Sequence, residues 1–137
     1  MHKLFYPALV FGLLLPSITF AACDANAEGS TSYLKAETFI YTLPEVKAWR
    51  KLVYATPGRK VTTIPSFDHQ SLIDGQCYWS VTLFEDTPEK YTRWNEFYIR
   101  DKDKHVLVDD ITGGDPMTLK QWRAQQKRWS SHQSFKR

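Results

Sequence analysis

The sequence predicts an α+β domain: a four-stranded antiparallel sheet covered by an amphipathic helix, with a further C-terminal helix. Three observations carry this. Apolar and polar residues alternate with a period of two from Cys77 to Phe84, Tyr91 to Ile99 and Lys104 to Val108, the mark of half-buried strands. Ahead of them Val46, Trp49 and Val53 recur at helical spacing while Glu45, Lys47, Arg50 and Lys51 face away. Behind them Thr112-Gly113-Gly114 breaks the sheet and Asp115-Pro116 opens a helix, because the carboxylate can accept from first-turn amides and the proline has no donor to waste.

At the N-terminus, Met1-His2-Lys3 and the largely apolar run from Leu4 to Phe20 read as a signal peptide over residues 1–21. The run, broken by Pro7 and Pro16, falls short of the roughly 20 apolar residues of a membrane span. Two cuts fit: one before Ala22, and one before Glu28 after Ala25-Asn26-Ala27. The chain is therefore expected in the periplasm or secreted. Residues 22–32 are expected to be a flexible lead-in, 33–130 a single domain and 131–137 a basic tail.

Three fates are open to Cys23, one of two cysteines. If retained in an oxidising compartment it can pair with Cys77. If Phe20-Ala21-Ala22-Cys23 acts as a lipoprotein box it carries a lipid, and with the later cut it is lost.

Along the domain, Ser30 or Thr31 is the expected cap of a helix through Ile40, and Thr42 that of a second helix from about Leu43 to Ala55, with Pro44 in its first turn and Pro57-Gly58 beyond its end. Lys60 to Ile64 reads as a strand halted by Pro65, which belongs on the rim because proline cannot donate to a ladder. Ser66 to Gln76, containing Asp74-Gly75, reads as loop. In the main strand Cys77, Trp79, Val81 and Leu83 form the core face and Tyr78, Ser80, Thr82 and Phe84 the other. Glu85 to Lys90 is the turn to the next strand, where Trp94, Glu96 and Tyr98 oppose Asn95, Phe97 and Ile99; Asp101 to Lys104 is a charged hairpin tip. In the last helix Leu119, Trp122 and Trp129 share a face.

No catalytic residue is assigned. Cys77 opens a core-facing strand with no nucleophile elbow around it, and a structural cysteine is its ordinary role. His69, His105 and His132 lack ligand spacing, so no metal and no cofactor are expected; Asp101, Asp103, Asp109, Asp110 and Asp115 read as turn and solvation chemistry, as does Glu85-Asp86. Charge is divided: from Leu119 onward stand six bases (Lys120, Arg123, Lys127, Arg128, Lys136, Arg137) and no acid, leaving 11 bases against 15 acids in residues 22–118. This basic segment, with its tryptophans, fits a membrane surface or an acidic partner; no nucleic acid is expected for an exported chain.

The aromatic load, five Trp, seven Tyr and eight Phe, exceeds what one small core needs. Tyr78, Phe84, Trp94 and Tyr98 are the candidates for the sheet face that the helix leaves bare, and Trp122, Arg123 and Trp129 for the last helix; Trp, Tyr and Arg dominate binding energy at interfaces. The loops Ser66 to Gln76 and Glu85 to Lys90 are further candidates.

Tyr78-Trp79-Ser80-Val81-Thr82-Leu83, an intervening aromatic strand, and Val108-Asp109-Asp110-Ile111-Thr112-Gly113 resemble PepSY-like modules over Leu43 to Gly113. That family continues with a strand after Thr-Gly, whereas Gly114-Asp115-Pro116 here reads as a helix start. The layout is also similar to cystatin-like and nuclear-transport-factor-like immunity proteins. The resemblance implies a binding protein whose partner is a peptidase or a toxin, held or occluded without catalysis.

Overall fold

The computed structural model describes residues 23–134, with side chains through Trp129. The expected leader and the basic tail 131–137 lie outside the residues whose side chains are described. The order is α1 (Thr31–Ile40), α2 (Pro44–Tyr54), β1 (Lys60–Pro65), β2 (Ser71–Ile73), β3 (Gln76–Asp86), β4 (Tyr91–Arg100), β5 (Val106–Val108), β6 (Met117–Thr118) and α3 (Leu119–Ser134). The architecture is α+β and antiparallel, with six strands instead of four. They run β1-β3-β4-β5-β6, and β2 pairs the start of β3 on the same side as β1.

Both added strands arise from turn and cap chemistry. Asp74 and Gly75 both have positive φ, 47° and 72°, and form a two-residue turn that sets Ile73 opposite Gln76. Asp-Gly suits such a turn because both residues tolerate the left-handed region, so part of the segment expected as loop becomes a hairpin. At the other edge Met117–Thr118 pairs β5, so a strand does follow Thr112-Gly113 and the helix begins later than Asp115-Pro116.

The start of α3 is held by Thr118 in place of Asp115. Its Oγ1 accepts from the Gln121 amide at 3.2 Å, while Gln121 Oε1 accepts from the Thr118 amide at 2.8 Å. This reciprocal box satisfies two otherwise orphaned donors. Thr118→Ala is expected to cost about 1 kcal/mol, read as a lowered urea midpoint; no change would mean that Gln121 alone holds the cap. Thr42, expected to cap α2, instead donates to the Phe39 carbonyl at the end of α1, and α2 starts at Leu43-Pro44 without a side-chain cap. Ser30 caps α1 as expected, accepting from the Tyr33 amide.

The three helices among the described residues lie on one face of the sheet. The core joins Tyr33, Ala36 and Ile40 of α1, Val46 of α2 and Trp122 of α3 to Trp79, Val81, Leu83, Phe97, Ile99, Val106 and Val108. Cys23 and Cys77 form a disulfide, and the segment behind Cys23 is tied down: the Gln70 amide donates to the Asp24 carbonyl, the Ala27 amide to that of Asp68, and the Ala27 methyl is buried. The disulfide is consistent with an oxidising compartment outside the cytoplasm. Among the described residues no helix is long and apolar enough to cross a membrane.

Candidate interaction surface

The helix-free face of the sheet is built by register. Across β3 and β4, Tyr78 stands opposite Arg100, Ser80 opposite Tyr98, Thr82 opposite Glu96 and Phe84 opposite Arg93. β1 adds Ile64 beside Thr82 and Thr62 beside Phe84; β5 adds Leu107 beside Tyr98.

A β-bulge determines what reaches this face. Leu83 pairs Asn95 but Phe84 pairs Arg93, so Trp94 is the extra residue on β4. The bulge breaks the alternation at that point. Trp94 turns to the helical side, stacks on Trp49 of α2 with ring centroids 4.3 Å apart, and meets Trp122 edge-on at 6.2 Å. Simple alternation had set it with Glu96 and Tyr98. Beyond the bulge Arg93 and Tyr91 occupy the helix-free face, and the Tyr91 ring lies edge-on to Phe84 at 6.4 Å.

Two polar clusters lie on the face. In one, Arg93 donates to Asp109 at 2.7 Å and to Glu96 at 3.0 Å, and the Tyr98 hydroxyl lies 3.5 Å from Asp109. Burial, then the negative charges of Glu96 and Asp109, raise the Tyr98 pKa above its ordinary value, so the phenol stays protonated and can donate. In the other, the buried Tyr78 hydroxyl lies 3.2 Å from His105 Nδ1 and 3.5 Å from an Arg100 nitrogen, while Arg100 makes a two-pronged bond to Asp103. The guanidinium is the main reason the Asp103 carboxyl sits well below its usual range. Between the clusters Ser80 Oγ is buried with no hydrogen-bond partner among the described residues.

Beside the first cluster opens a cup of about 370 Å³. One wall is apolar, formed by Ile64, Pro65, Phe67 and Phe84; the other is charged, formed by Arg93 and Glu96, and Ser66 and Thr82 complete the lining. Ser66 Oγ and Thr82 Oγ1 are 2.5 Å apart, tying the loop after β1 to β3. Ile64 is 43% and Phe67 49% exposed, large for apolar side chains flanking a charge cluster. The arrangement suits an apolar side chain with a polar neighbour. A larger cleft of about 690 Å³ lies at the disulfide end, lined in part by Leu72, Gln70, Arg100 and Asp101. There Arg100 is bonded to Asp103 and Asp101 to Lys104, so these two charges already serve the hairpin.

The candidate aromatics therefore divide into three groups. Tyr78, Phe84 and Tyr98 lie on the helix-free face; Trp94 and Trp122 pack on the helical side; Arg123 and Trp129 lie on α3, with Arg123 paired to Glu45 and Trp129 exposed. The loop Ser66 to Gln76 contributes Phe67, whereas Glu85 and Asp86 end β3. Ile64, Tyr91, Arg93 and Glu96 carry no site signal in the sequence, and Asp109 reads there as turn chemistry; the signal available for Arg93 is its neighbour Trp94, whose placement depends on the bulge. Among the described residues no three His, Cys, Asp or Glu side chains come together as a metal-ligand group.

Compared with known proteins, the chain matches no family model, and neither a curated protein nor a solved structure matches it.

Proposed function

We propose that this chain is a small exported binding protein that holds or occludes a protein partner, as a peptidase inhibitor or as an immunity protein against a toxin. The observation that carries the reading is the half-apolar, half-charged cup beside the Arg93–Glu96–Asp109 cluster, on the sheet face that carries no helix among the described residues. Exposed aromatic and arginine side chains on a rigid sheet are the ordinary ingredients of an interface centre. The sequence pattern similar to PepSY-like modules, and the layout of helices and sheet expected from it, fit the same class. A signal cut before Ala22 fits best, since it keeps both Cys23 and the buried Ala27.

The test is affinity capture of the tagged mature chain from its own cell envelope, with mass spectrometry of what is recovered. One stoichiometric hydrolase or toxin is expected. Its affinity should fall by about thirtyfold in Phe67→Ala, the size of an interface hot spot of ~2 kcal/mol, with the melting profile unchanged because Phe67 is half exposed. A captured partner that binds Phe67→Ala and Ile64→Asp as tightly as the parent would move the interface off this face.

A further inference from the structure

The helices carry a charge that the sheet does not. Through α1, α2 and α3 there are eight bases (Lys35, Lys47, Arg50, Lys51, Lys120, Arg123, Lys127, Arg128) against two acids, Glu37 and Glu45. Residues 55–118, the strands and their connections, hold seven bases against eleven acids. Because the three helices among the described residues pack on the same face, their bases gather on one side of the molecule, where the Asp101–Lys104 pair of the hairpin tip adjoins α1.

The helices also carry exposed apolar side chains. Leu34 on α1 is 55% exposed, Leu52 on α2 71% and Trp129 on α3 54%. Leu34 lies along one trough with Lys35, and Leu52 stands on the same helix as Lys47 and Lys51. Leu34 and Phe39 line an open trough of about 440 Å³ with Lys35 on its rim, beside Lys104, which is paired to Asp101. Trp129 follows Trp122 along the helical face turned to the sheet and lies at the sheet edge beside Asn95, Asp109 and Ile111, so the outward anchors are Leu34 and Leu52. Apolar groups a few ångströms proud of a basic surface are what an interfacial layer of headgroups and acyl chains accommodates: the apolar groups enter, and lysine stems let the charges stay at phosphate level.

We propose that the helical side of the domain docks on an anionic phospholipid surface, leaving the helix-free sheet face turned outward. The charge is spread over three helices and the apolar anchors are separated, which fits a laterally continuous anionic plane better than a single complementary pocket. This docking uses a different face from the protein-binding reading, so either can fail alone.

The experiment is co-sedimentation of the mature, disulfide-bonded chain with vesicles of phosphatidylcholine alone or mixed with phosphatidylglycerol, at low and high salt. Binding is expected only to the mixed vesicles and should weaken with salt as the charges are screened. Removing a base near the surface is worth roughly fivefold, so Lys120→Glu with Lys127→Glu should lower the partition coefficient by at least about twentyfold, as should Lys47→Glu with Lys51→Glu. Leu52→Ser should weaken binding without altering its salt dependence. Circular dichroism melts check that each variant folds. Equal sedimentation with both vesicle types, or charge-reversed variants that bind like the parent, overturns the proposal. Failure to bind either vesicle while an acidic polypeptide is retained with salt sensitivity also overturns it, and gives the face to an acidic polymer.

Discussion

Replacing Cys77 by serine is expected to lower the unfolding free energy by about 4 kcal/mol, the loop-closure value for cysteines 54 residues apart. Against the roughly 5–15 kcal/mol that holds a domain together, this is a large share. The cross-link spans α1, α2, β1 and β2, so its loss frees the unfolded chain over nearly half the domain. In the folded state the bond secures the segment that carries Ala27 into the core and the two backbone hydrogen bonds to residues 68 and 70. Cys23→Ser should therefore cost the same as Cys77→Ser, and the double variant little more, because either change removes the same bond. Urea unfolding of the parent with and without a dithiol reductant gives the matching control. A shift below about 1 kcal/mol would mean that the unfolded chain is already compact near these cysteines.

The parts of this fold that were legible in the sequence are those written in a local period. The alternation from Cys77 to Leu83 placed Trp79, Val81 and Leu83 inside, and the helical spacing of Val46 and Val53 placed α2. Leu119 and Trp122, three residues apart, pack on the core as one helical face. β2 escaped because three residues are too few to alternate convincingly, although Asp74-Gly75 held the turn signal. Trp94 escaped for a different reason. A bulge is a property of two paired strands, so the residue that it turns over cannot be read from β4 alone. The same applies to the cup: Ile64 and Phe67 come from β1 and the loop after it, Phe84 from β3 and Arg93 from β4, while the Asp109 that fixes Arg93 follows β5. Each residue type was ordinary in its own segment, and only the register that brings β1, β3 and β4 side by side sets an apolar wall against a charged one.

Trp79→Ala is the second large effect, expected to cost about 3–5 kcal/mol. The indole is fully buried at the centre of the sheet, and α1 rests on it. Its Nε1 donates to Ser32 Oγ at 2.7 Å, and the Tyr33 ring meets it edge-on at 5.7 Å. α1 buries Tyr33, Ala36 and Ile40, so the indole supplies much of the surface against which its first turn packs. Truncation leaves a cavity and removes the partner of a half-buried hydroxyl; the two costs can be separated. Trp79→Phe keeps most of the ring but removes the donor, and Ser32→Ala removes the acceptor, so each should carry a hydrogen-bond component of about 1 kcal/mol. In the double variant that component should be lost only once, a coupling that a double-mutant cycle by urea unfolding measures directly. Near-zero coupling would leave α1 held by shape alone. A cost for Trp79→Ala below about 1.5 kcal/mol would mean that α1 settles onto the shortened side chain, and the seat of the helix would then lie with Ile40 and the strands beneath it.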